Sequence, residues 1–269
     1  IPGRGGALPM ERAEKVRSVW AKAWELRSEH YEVRSSSDLR ATINTLLDLE
    51  FFYHYALSIF QKELELREVV KPMKVALYRD QDQFPDIPRA SAYFKPGENI
   101  LYTWMSERRR RPVGLFHEAT HSLLHNTIVD TSRSRGELPG WLHEGPAVYM
   151  QGVVSGGPPG RPDYHEGRRL RRHFKTLAEA RRPYKVHRVL NFRISDYHAS
   201  TKQGLKYAQG YVLFHYMLHG EGEGYREAFF DYLREAVLGK GQASTFRKIF
   251  RSSLAKIERG HVRYAAAPR

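Results

Sequence analysis

Apolar residues recur along this chain with two periods, and each predicts a different element. In "SSDLRATINTLLDLEFFYHYALSIFQ" they fall three and four apart, which predicts a long amphipathic helix opened by a Ser/Asp cap signal. Val16, Trp20, Ala23 and Trp24 share that spacing and predict a helix from Met10 to about Ser28. "YEVRS" and "MKVALYRD" read as strands, with Pro72 at the mouth of the second. "SAYFK" and "NILYTW", joined by "PGE", predict a hairpin. From Arg111 onward the pattern is helical, over roughly 112–127, 139–152, 165–181, 202–219, 222–238 and 243–258.

Strand, helix, strand and hairpin followed by a run of helices give an α+β protein with a small mixed sheet and a helical C-terminal half. "IPGRGGALP", residues 1–9, reads as a flexible lead-in. Residues 10–269 carry no low-complexity linker and are expected to form one domain. Its helix and sheet part spans 10–110, and its mainly helical part spans 111–269. "SGGPPGRPD" reads as a loop or lid.

Composition narrows the chemistry. A hydrophobic fraction of 41% supports a packed core, and no apolar run approaches the roughly 18 residues of a membrane span. The chain opens on Ile1 rather than Met, so it has been processed or trimmed, and a secretion signal could have been removed. The absence of a signal here is uninformative, so the compartment is unread, an extracytoplasmic, secreted setting being the expectation. Cysteine is absent, so disulfides, thiolate nucleophiles and Cys-type zinc sites are excluded. Any metal must be held by His and carboxylate.

The net charge is +14, with arginine clusters at Arg108–Arg111, at Arg168, Arg169, Arg171 and Arg172, and at Arg181 and Arg182. Such clusters suit an anionic partner or simply a solvated basic surface. No aromatic-interleaved motif accompanies them, so nucleic acid is not expected. If the first two clusters both line a cleft, an acidic substrate is the partner this charge would favour.

The chemistry sits in "FHEATHSLLH", residues 116–125. Four residues along a helix turn through about 400° and rise about 6 Å, so His117 and His121 face the same way. Two such imidazoles can chelate one Zn²⁺, with Glu118 displaced around the helix as a base for metal-bound water. A third ligand decides whether the pattern is more than two surface histidines. His125 lies one further turn along, and a rigid helix cannot curl three turns around one ion. A longer pattern would need Gly at 124 and His at 127, where the chain has Leu124 and Thr127. In "LPGWLHEGPAVYMQG", Pro139 suits a first helical turn, Trp141 and Leu142 offer anchoring bulk, and Glu144 projects from the helix. His143 would point about 100° away. Two His and one Glu leave a position open for water or substrate, as in catalytic zinc sites.

Together "HEATHSLLHN" and "LPGWLHEGPAVYMQG" resemble the gluzincin metallopeptidases, specifically the peptidase MA-like group with its W-L-x-E-G-x-A motif. A bacterial branch of that group is especially similar and shares a later tyrosine-bearing helix, here "KYAQGYVLFHYML". The resemblance spans roughly residues 28–264, with specific motifs between 111 and 220. It implies a thermolysin-like zincin core with an active-site helix and a ligand helix. It also implies zinc held by His117, His121 and Glu144, and Glu118 as general base in peptide or amide hydrolysis. Two positions depart from the pattern: Pro146 follows the Glu-Gly pair, and Val148 stands where many relatives carry a carboxylate that orients a ligand.

In the tyrosine helix, Tyr207, Tyr211, His215 and His219 fall at four-residue steps. The resemblance makes Tyr207, and next Tyr211, the group that donates to an oxyanion. The alternative is a Tyr/His face at the rim of the core with its polar tips in solvent. Two competing functions remain open on sequence. One is a non-catalytic protein of the protease fold that binds an anionic polymer through its basic surface. The other is a structural metal site closed by His125 or His143. In "FFYHY", residues 51–55, the aromatics read as core and His54 as a buried or rim histidine.

Overall fold

The computed structural model describes residues 2–3, 6–7, 9–85, 92–106, 111–112, 114–128, 138–152, 168–199, 201–220, 225–251 and 254–267. Its internal contacts divide the chain into two compact units. The first takes Ile1–Tyr55 and Glu68–Thr127; the second takes Ala56–Arg67 and, among the described residues, the chain from Ile128 on. The segment read as a loop or lid, "SGGPPGRPD", lies outside the described residues. No helix among the described residues is long and apolar enough to cross a membrane.

The first unit opens with β1 (Pro2–Gly3) paired antiparallel to β2 (Gly6–Ala7), in the stretch expected to be a lead-in. Helix α1 (Met10–Arg17) is shorter than the predicted Met10–Ser28. After a 3-10 turn at Trp20–Lys22 the chain becomes strand β3 (Trp24–Arg27), antiparallel to β4 (Tyr31–Ser35). The helical spacing of Val16, Trp20 and Trp24 is overridden here by a two-residue alternation, W-E-L-R, that fits the ladder with β4. Trp24 is buried, and Trp20 stacks on Tyr78 at 4.2 Å.

The long predicted helix is α2 (Leu39–Leu64). Asp38 caps it as its sequence suggests, Oδ1 accepting the Ala41 N–H at 2.7 Å. This helix is the crossover between β4 and the parallel strand β5 (Met73–Tyr78), a connection that a parallel pair requires. Strand β7 (Ile100–Ser106) runs parallel to β5, and β6 (Tyr93–Lys95) pairs antiparallel to β7 as the predicted hairpin. The sheet order is therefore β3-β4-β5-β7-β6, with β8 (Arg111–Pro112) added on β7. Along β5 the alternation separates two apolar layers. Val75 and Leu77 are buried on one face; Ala76 and Tyr78 join Phe84, Trp20, Tyr93 and Tyr102 on the other.

Helix α3 (Leu115–Thr127) follows and packs along β5, β6 and β7. Leu115, Ala119, Ser122 and Leu123 form its buried stripe, and Phe116 stacks on Phe52 of α2 at 5.6 Å.

The second unit is helical: α4 (Gly140–Met150), α5 (Arg168–Ala178), α6 (Val186–Val189), α7 (Ile194–His198), α8 (Gln203–His219), α9 (Tyr225–Glu235), α10 (Ala243–Phe250) and α11 (Leu254–Ala266). Helix α8 is its centre, touching α4, α5, α7, α9 and α11. The single helix expected over 243–258 is two helices, because Arg251 takes a left-handed φ of 46° that ends α10. Polar spacing hides such a stop when no glycine marks it.

Candidate metal centre

On α3 the helical pitch does what the sequence leads one to expect. The His117 and His121 rings lie 4.9 Å apart, centroid to centroid, at 80°, and both are half-buried. Glu118, one residue round, has its carboxylate held: Oε2 accepts the backbone N–H of Phe94 on β6 at 2.8 Å. The start of the helix depends on Gly114, whose φ of +65° is in the left-handed region and whose carbonyl accepts the Glu118 N–H. Its far end is tied to the β6–β7 turn by a reciprocal amide pair, Asn99 with Asn126, at 2.8 and 3.0 Å. His125 is exposed and packs against Phe94 at 5.4 Å.

Glu144 belongs to the second unit, on α4, where it is 3% exposed. Trp141 anchors this helix as anticipated, with its ring about Phe229, Tyr232 and Phe246. What sequence reasoning missed is how tightly α4 is seated. A Cβ on Gly140 would lie 2.6 Å from the Arg193 carbonyl, and one on Gly145 would lie 3.0 Å from the Gly210 carbonyl oxygen. Small residues thus let α4 approach α8 and the loop before α7. Pro146 sits within α4 and is buried, and the helix continues past it to Met150. Val148 is buried as well.

The structure adds a residue to this neighbourhood that no spacing signalled. Tyr197, on α7, is fully buried, and its hydroxyl has no hydrogen-bond partner among the described residues. Burial first, and then the negative charge of Glu144 and the neighbouring Tyr207, push its phenol well above the usual range. It therefore stays protonated beside Glu144. Its ring meets that of Tyr207 edge-on at 5.2 Å.

Tyr207 is half-buried on α8, while Tyr211, one turn on, is fully buried among His173, Phe174 and His215. His215 is also buried, its Nδ1 2.9 Å from the Tyr264 hydroxyl; His219 is exposed and pairs with the Tyr149 hydroxyl at 2.9 Å. Two of the four, Tyr211 and His215, are therefore interior rather than at a solvent-facing rim. Of the arginine clusters, Arg171, Arg172, Arg181 and Arg182 are exposed, while Arg108–Arg110 lie outside the described residues.

Among the described residues, two groups of three His and Glu side chains have the make-up of a metal site. One is His117, His121 and Glu144; the other, within the first unit, is His30, Glu50 and His54. Over residues 113–240 the chain is similar to a family described as "Protein of unknown function (DUF1570)". That stretch contains α3, α4 and α8, hence every residue of the first group and both tyrosines. No curated protein matches the chain.

Proposed function

We propose that the protein is a zinc-dependent peptidase of gluzincin type, in which His117, His121 and Glu144 hold one Zn²⁺. The fold that accompanies this reading is a thermolysin-like zincin core, with α3 as active-site helix and α4 as ligand helix. The observation that carries it is the α3 pair: two imidazoles 4.9 Å apart on one helical face, with a fixed carboxylate between them in sequence. The donor set also fits. Two imidazoles and one carboxylate, with no thiolate in the chain, suit a borderline divalent cation that keeps a position for water or substrate.

When bound, the ion would lower the pKa of water and polarise a carbonyl oxygen. The chain's own residues do the rest. Glu118 accepts a proton from water and returns it to the leaving amine, with its carboxylate oriented by the Phe94 N–H. Tyr207 donates its hydroxyl to the developing oxyanion, with Tyr211 the second candidate. Glu144, at 3% exposure, is shielded from bulk water, which strengthens its attraction to a cation. The substrate is a peptide or protein, and a net charge of +14 favours an acidic one.

Metal content by plasma mass spectrometry, on wild type and Glu144→Ala in parallel, tests the ligands. A peptide-library digest with Glu118→Gln as control tests the chemistry. One zinc per chain that falls in the mutant, with cleavage lost in Glu118→Gln, is the expected result. No zinc after incubation with the metal, or equal cleavage by Glu118→Gln, overturns the reading.

A further inference from the structure

A second cluster of metal-capable groups lies in the first unit and takes no part in the proposed hydrolysis. His30 occupies the bend before β4, while Glu50 and His54 are one turn apart on the same face of α2. One ligand atom from each can be chosen so that all three lie within 4.8 Å of one another. Of the two sequence readings of His54, buried or rim, the buried one is corrected here: the residue is exposed, one turn beyond Glu50.

The two inner ligands are already fixed in place. The His30 backbone N–H donates to Glu50 Oε1 at 2.8 Å, and His30 Nδ1 lies 2.7 Å from Oε2. The His30 carbonyl accepts the Met73 N–H at 2.8 Å, and the Tyr53 ring stacks on the imidazole at 3.7 Å. His30 and Glu50 keep only 12% and 20% of their side-chain surface exposed. Burial works to raise the Glu50 pKa, but the Ser28 hydroxyl and the His30 donors outweigh it and hold the carboxyl below its usual range. The carboxylate is thus oriented by His30, through its backbone N–H and its ring Nδ1. His54 brings a second imidazole edge-on to His30 at 5.3 Å, and that ring makes only aromatic contacts among the described residues. Glu29, mostly exposed, stands 4.0 Å from His30 Nε2 and adds negative charge at the rim.

We propose that His30, Glu50 and His54 form a second divalent-metal site that ties the middle of α2 to the loop before β4. Two imidazoles and one carboxylate favour Zn²⁺, Co²⁺, Ni²⁺ or Cu²⁺ over the all-oxygen ions Ca²⁺ and Mg²⁺. Ligands held at about 2.05 Å around a tetrahedral ion sit about 3.3 Å apart. His30 and Glu50 therefore part by roughly half an ångström as the ion replaces the proton between them. The exposed side of the site leaves its remaining positions to water. Its role is to clamp two elements, and its signature is metal-dependent stability.

The test is a Zn²⁺ titration of the untagged, chelator-stripped full chain against a chromophoric competitor, on wild type, His54→Ala and His117→Ala. His54 is exposed, so its replacement leaves the fold intact. The expected result is one ion fewer in His54→Ala than in wild type, or a loss of at least tenfold in affinity for one ion. His117→Ala keeps that ion. Equal stoichiometry and affinity in wild type and His54→Ala overturns the proposal, whatever His117→Ala does. An ion lost only in His117→Ala sinks this site and spares the peptidase centre; an ion lost only in His54→Ala does the reverse. Co²⁺ added to the same proteins gives a second readout: paramagnetic shifts of the His30 and His54 ring protons are expected in wild type, and their absence overturns the proposal.

Discussion

Helices α3 and α4 each present metal-ligand candidates, and they hold them in opposite ways. Helix α3 is half-exposed, and its histidines face one way because of pitch alone. Nearly every residue of α4 is buried, and Glu144 sits where it does because Gly140 and Gly145 allow the helix against backbone. One helix places chemistry by periodicity, the other by steric fit. Substitutions in α3 should therefore strike activity first and stability little; those in α4 should strike stability first.

Replacing Glu118 with Gln sharpens this contrast most. On the proposed mechanism this removes the general base, which lowers turnover by about 10²–10⁴-fold. Because the carboxamide oxygen can still accept the Phe94 N–H, the thermal midpoint should stay near that of wild type. Steady-state cleavage of a library-derived peptide and a melting curve are the two readings. A large fall in midpoint would assign Glu118 a structural role and break the comparison.

On α4 the expectation is reversed. A Cβ at position 140 would stand 2.6 Å from both carbonyl atoms of Arg193, which are backbone and cannot rotate away. The Gly140 N–H also donates to the Phe192 carbonyl, so the same shift strains a hydrogen bond. Gly140→Ala should cost about 3 kcal/mol, the upper end for overpacking, read from urea denaturation. Zinc content at the proposed centre should fall with it, since Glu144 is one helical turn away. Gly114→Ala, before α3, should cost less, about 1–2 kcal/mol, because its penalty is a single left-handed residue and a 3.0 Å approach to Ala92. A cost at Gly114 equal to that at Gly140 would show that α3 is as sterically pinned as α4.

The same contrast explains what could be read from the sequence. The α3 pair, the α2 cap at Asp38, strands β4 and β5 and the β6–β7 hairpin all rest on spacings of a few residues, and these were legible. Strand β3 was not, because its identity comes from pairing with β4 rather than from its own period. Nor was the break at Arg251, which carries a left-handed φ without a glycine to announce it. His30 meets Glu50 from 20 residues away, a contact no local window contains. The tight seat of α4 left a visible trace in its glycines, but glycine in a helix does not say what it is making room for.

Tyr197 carries the smallest expected effect and the finest test. Its hydroxyl is buried without a partner among the described residues, so Tyr197→Phe loses no hydrogen bond and should change stability by less than about 0.5 kcal/mol. The ring, which fills the space against Gly210 and meets Tyr207, is retained. What changes is the dipole of a neutral phenol beside the Glu144 carboxylate. A competition titration with Zn²⁺ should then show a change of only a few-fold at the proposed centre, consistent with an influence through space rather than a direct bond. A shift beyond tenfold with stability unchanged would mean that the hydroxyl orients Glu144 directly. In that case α4 would owe the position of its ligand to hydrogen bonding as well as to steric fit.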